Sequence, residues 1–92
     1  MSLLSLLSAA DVQQQLAESV RHKRNQLKLS RRLLAERSTV PAATIKKFET
    51  TGQISLRQFI LLWQCVDRLE NLSALTKEAP LAPRTIEEVL KK

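Results

Sequence analysis

Few residues in this 92-residue chain are suited to covalent or metal chemistry. His22 is the sole histidine, Cys65 the sole cysteine, and there is no tyrosine. No CxxC, HExxH, GxxxxGK or GxGxxG pattern occurs, so neither a metal site nor a phosphate loop has a basis in spacing, and no cofactor is expected. An enzyme is not expected from such a set. The residues that remain are cations. Between Arg21 and Lys47 stand nine lysines and arginines against one acid, Glu36, whereas the whole chain carries a net charge of +6. A basic block inside a sequence patterned to fold has two readings. It is either a solvated helical surface or a surface for a polyanion, where each cation that neutralises a phosphate releases a condensed counterion.

The cations must be held by helices. With one glycine and three prolines there is little material for hairpin turns, and an all-α domain follows. Ser8 and Asp11 fit a capping box that opens a first helix, in which Val12, Leu16, Val20, Arg24 and Leu27 recur at helical spacing as far as about Lys28. Ser30 caps a two-turn helix, Arg31 to Ser38, with Leu34, Ala35 and Ser38 on one face. After a break at Thr39 and Val40, Pro41 suits a first helical turn, having no N–H to leave unsatisfied. The third helix then runs to about Thr50. Its wheel places Pro41, Ile45 and Phe48 inside and Ala42, Ala43, Lys46, Lys47 and Thr50 outside. Ser55 and Gln58 form a second box for a helix to about Val66, and Leu69, Leu72 and Leu75 suggest a fifth.

Residues 1–10 form an apolar segment, far short of the roughly 20 residues that span a bilayer. Residues 11–76 form the domain, and 77–92 a linker and tail. In the tail, Thr85 and Glu88 make a third box and Ile86, Val89 and Leu90 an apolar stripe. Eight residues do not hold a helix alone in water, so the stripe either docks on the body or on a second chain, or stays disordered. No membrane partner is expected, and a lone cysteine suits a reducing, cytoplasmic setting.

Two short helices about a tight turn, the second basic outside, describe a helix-turn-helix unit. Residues 16–75 resemble the Xre and Cro family of bacterial and phage repressors. The likeness rests on Leu29 and Ser30 opening helix 2, Leu34 and Ala35 within it, Val40 in the turn, and Ile45 through Glu49 in helix 3. Phe48 and Glu49 followed by Thr-Thr-Gly-Gln-Ile-Ser-Leu, together with the tail Pro-Arg-Thr-Ile-Glu-Glu-Val, are similar to HipB-type antitoxins that accompany HipA-type kinases.

The resemblance implies a five-helix, lambda-repressor-like fold and a nucleoid-associated repressor, pairing as a homodimer over helices 4 and 5 on an inverted-repeat operator. It puts Ala42, Ala43, Thr44, Lys46 and Lys47 at base edges, with Gln53 in the following turn as a further DNA contact. It places Arg31 on a phosphate, Arg24 and Glu49 in an ion pair that orients helix 3, and a HipA-like kinase toxin as a protein partner. Five positions depart from the pattern. Thr39 stands where glycine is usual, and a left-handed threonine is strained, so a differently shaped turn is expected. Leu33 replaces a polar residue and is either an exposed leucine, the favoured reading, or a contact for something else. Leu61, Trp63 and Cys65 leave helix 4 apolar almost all round, and Trp63 with Leu61 is either core or an anchor for a partner.

Overall fold

The computed structural model describes residues 6–77. Among them are five α-helices and no strand: α1 Ala9–Gln26, α2 Arg31–Ser38, α3 Ala42–Thr51, α4 Leu56–Val66 and α5 Leu69–Ser73, followed by a single 3₁₀ turn at Ala74–Thr76. None of these helices is long and apolar enough to cross a membrane. The tail with its Thr85–Glu88 box and its Ile86, Val89, Leu90 stripe lies outside the described residues.

Serine caps set three of the helix starts. Ser8 accepts from the Asp11 N–H at 3.0 Å while the Asp11 carboxylate accepts from the Ser8 N–H at 3.1 Å, so two of the first-turn donors are satisfied reciprocally. Ser30 accepts from the Leu33 N–H and Ser55 from the Gln58 N–H. The second box differs from its expected form. The Gln58 side chain meets the Ser55 hydroxyl at 3.3 Å, and that contact links two side chains instead of reaching the backbone N–H.

Helix α1 ends at Gln26, two residues earlier than its pattern suggests, because Lys28 turns into the left-handed region at φ 59°. Pro41 also differs from its expected place. With ψ at 144° it is the N-cap of α3, outside the first turn, and its side chain is exposed. The fixed ring φ near −60° suits both positions, and ψ decides between them.

The core joins four helices. Ala17 and Val20 come from α1, Leu34 from α2, Ile45 and Phe48 from α3, and Phe59, Leu62, Trp63 and Val66 from α4, with Leu29 and Val40 from the connections. Phe48 meets Phe59 edge-on at 5.9 Å between ring centres, and Phe59 meets Trp63 at the same distance. Trp63 is 8% exposed and its indole N–H donates to the Arg68 carbonyl at 2.9 Å. Of the two roles open to it from the sequence, the core role is the one the fold realises. Leu61 is half-buried against the same core, as is Leu33, which is therefore not the exposed leucine expected. Cys65 packs there too, and burial pushes its thiol above the usual range against the opposing pull of Arg37.

Lys23 closes the Trp63 side. Its ammonium lies 5.5 Å from the indole ring centre and 2.9 Å from the Asp67 carboxylate. That contact, with the Arg68 N–H and the Asn71 amide, holds the Asp67 carboxyl below its ordinary range.

Thr39 does take the left-handed conformation, with φ at 66°, so the α2–α3 turn keeps the shape that a glycine would allow. Its N–H donates to the Ala35 carbonyl at 2.9 Å and closes α2. A β-branched residue in that region costs on the order of 1 kcal/mol. Thr39→Asn, which enters the region at lower cost without adding backbone freedom to the unfolded chain, is expected to raise stability by about 1 kcal/mol. Urea denaturation monitored by circular dichroism checks this, and an unchanged or lowered midpoint contradicts the strain argument.

Candidate nucleic-acid interface

Helix α3 divides cleanly by exposure. Ile45 is 0% and Phe48 2% exposed, while Ala42, Ala43, Lys46, Lys47 and Thr50 face outward. Thr44, grouped by the resemblance with the outward residues, is half-buried on the flank. Gln53 is exposed in the turn after the helix, where its N–H donates to the Thr51 hydroxyl. The hydroxyls of Thr50 and Thr51 donate back to carbonyls of the last turns, with Lys47 O accepting from both.

The charge on this helix is sorted by side. Its one acid, Glu49, has a side chain only 1% exposed, so the outer face carries Lys46 and Lys47 with no carboxylate beside them on α3. Burying a carboxylate is costly unless it is paired and hydrogen-bonded, and here it is both. Arg24 Nε and Nη2 donate to its two oxygens at 2.7 and 3.1 Å, a bidentate fork. Arg24 Nη1 turns to the Leu29 carbonyl at 2.8 Å, which leaves the 7% exposed guanidinium well satisfied.

Arg31 completes the group. Its Nε donates to Glu49 Oε1 at 2.9 Å, and its side chain remains 39% exposed. One carboxylate thus ties the C-terminal part of α1, the first residue of α2 and the last turns of α3. The family resemblance implies a partner for Arg24 at Glu49 but gives no sign that Arg31 shares it, because a contact between residues 18 apart is set by the helix crossing and leaves no trace in local spacing. Two cations on one anion leave local positive charge, and the exposed part of it is Arg31. Arg32, Arg37 and Lys28 are also exposed, and the sequence reading had not named them individually as site residues.

A second fastening lies at the end of α3. Gln13 of α1 donates from its amide to the Gly52 carbonyl at 3.2 Å, and Gly52 closes α3 at φ 79°. No protein-family model matches the chain, and no curated protein or solved structure matches it. The geometry itself is a rigidly mounted helix with a small, cationic outer face. Among the described residues, no group of three or more histidine, cysteine or acidic side chains could hold a metal ion.

Proposed function

We propose that this protein is a sequence-specific DNA-binding repressor in which α2 and α3 act as a helix-turn-helix unit and α3 enters the major groove. The observation that carries the reading is the outer face of α3: Ala42 and Ala43 exposed and small, Lys46 and Lys47 exposed and basic, and the sole acid of the helix turned inward onto two arginines. Small residues let a helix approach the groove floor, where an alanine methyl contacts the thymine methyl. Lysines at 46 and 47 serve either guanine O6 and N7 or the phosphates beside them. Arg31 presents its exposed edge to a phosphate while Glu49 holds the other edge.

A module this small gains specificity by pairing. The reading includes a homodimer on an inverted repeat, with recognition helices about 34 Å apart or a multiple of that distance. The Xre-like residues support it, and the HipB-like ones extend it to an antitoxin that represses its own operon and restrains a HipA-like kinase toxin. A stand-alone repressor of phage type has the same DNA chemistry without the kinase. A module that restrains a partner and has little affinity for DNA is favoured by a different observation, the exposed apolar side chains Leu56, Ile60, Leu69 and Leu75 on α4 and beyond.

Fluorescence anisotropy on a nonspecific duplex at rising salt separates the two. A DNA-binding protein that contacts Z phosphates loses log affinity against log salt with a slope of about −0.9Z, and a flat or absent response overturns the proposal. Lys47→Ala is expected to weaken binding by roughly 1 to 3 kcal/mol. A loss concentrated on one preferred sequence marks a base contact, and an equal loss on all sequences with a shallower salt slope marks a phosphate contact. No loss on any sequence counts against α3 as the reading element.

A further inference from the structure

Helix α4 is covered on one side only. Its buried side chains Phe59, Leu62, Trp63 and Val66 face the core, while Leu56 is 74% and Ile60 37% exposed one turn apart on the outside. Toward α5 the surface sinks into a depression of about 270 Å³ whose walls are Ile60, Leu69, Leu72, Ser73 and Thr76. A neighbouring one of about 280 Å³ is lined by Leu56, Arg57, Ile60 and Leu61. Ile60 lines both, so the two adjoin at that side chain on the outer face of α4, and the groove toward α5 is apolar but for Ser73 and Thr76. A groove of this composition in a small domain calls for a cover.

We propose that the cover is the chain's own C-terminal segment, residues 85–90, folded as a short helix with Ile86, Val89 and Leu90 in the groove. Three observations point to this occupant over any other. Thr76, the last residue before the chain passes out of the described region at Lys77, is itself part of the groove wall. Nine residue steps separate Lys77 from Ile86, which reach at most about 30 Å, and α4, 11 residues long, spans only about 16 Å. The tether holds the segment near the groove at an effective concentration on the order of millimolar, which a separate chain does not match at ordinary concentrations.

The third observation is chemical fit. Ile86, Val89 and Leu90 stand at i, i+3 and i+4, one face of a helix, and Thr85 with Glu88 supplies its start. Glu87 flanks that face, and one exposed cation, Arg57, lines the groove. Neither surface is complete alone. A helix of this length does not persist in water without packing, and the groove is apolar without a partner. This assignment is independent of the DNA reading. Two copies pairing on DNA over this side of the domain would meet across the seated segment instead of across bare α4.

Nuclear Overhauser spectra of the full chain test the proposal. Expected are methyl contacts from Ile86, Val89 and Leu90 to Ile60, Leu69 and Leu72 in uniformly ¹³C-labelled protein. The same contacts should be missing from an isotope-filtered spectrum of labelled chain mixed with unlabelled chain, since that spectrum registers only contacts between molecules. Ile86→Asp should abolish them, leave the Leu34 and Ile45 methyl shifts in place, and speed amide exchange over residues 87–90 about tenfold. Ile60→Asp, at a position 37% exposed and outside the core cluster, should release the segment in the same way. The proposal is overturned if the contacts are absent from the wild-type chain, if they appear in the filtered spectrum and so come from a second copy, or if neither substitution changes tail exchange.

Discussion

Glu49→Ala is expected to lower the stability of the domain by about 3 to 5 kcal/mol, because it leaves the Arg24 guanidinium buried without its counterion. Arg24 is 7% exposed and directs Nε and Nη2 to the Glu49 carboxylate, so two donors of a buried guanidinium lose their charged acceptor at once. Arg31, more than a third exposed, returns to solvent at little cost. Since small domains are stable by only about 5 to 15 kcal/mol in all, the variant should unfold at markedly lower urea and temperature. The double substitution Arg24→Met with Glu49→Leu removes both charges and should recover much of the loss. Recovery should stop short of wild type, because the Leu29 carbonyl loses the donor it has at 2.8 Å. A single variant that unfolds within about 1 kcal/mol of wild type would place this pair among surface ion pairs in energetic terms and contradict the burial argument.

Trp63→Ala is the second large expected effect, a loss of about 3 to 5 kcal/mol from the cavity and the transfer of buried aromatic surface. Trp63 packs against Phe59, lies under Lys23 and donates to Arg68, three contacts made entirely within one chain. Circular dichroism is the suitable probe, as the variant has no tryptophan left to fluoresce. Trp63→Phe should cost less, retaining most of the packing while leaving the Arg68 carbonyl without its indole donor. Unchanged stability in Trp63→Ala would return the residue to the alternative of an anchor for a partner.

These two sites mark where sequence reading succeeds and where it stops. The serines at 8, 30 and 55 announce helix starts because a cap is a local device, satisfied within three residues. The inward set of α3, Ile45 and Phe48, follows from periodicity alone. Pro41 was harder, since its ring fixes φ and leaves ψ to decide whether it lies inside or just before the helix. Exposure of Leu33 is suggested by family pattern, whereas the fold leaves it partly buried against the core. Trp63 was ambiguous for a general reason: an all-round apolar helix says that both sides need cover but not which residue meets which cover. The Arg31–Glu49 contact and the Lys23–Asp67 pair depend on how helices cross, and no window along the chain contains both partners.

Gly52 closes α3 next to α1, where a β-carbon built on it would stand 3.2 Å from both the backbone carbon and the Cβ of Gln13. The spacing between these two helices is therefore set by a hydrogen atom. Every other residue type at position 52 would carry a double burden, a left-handed backbone and a wedge driven between the helix that presents Lys46 and Lys47 and the helix that supports it. A side chain here requires Gln13 to give by a few tenths of an ångström besides straining the backbone, although the position bears no charge. The precision of the exposed Lys46 and Lys47 face resides in how α3 is mounted as much as in the residues it shows.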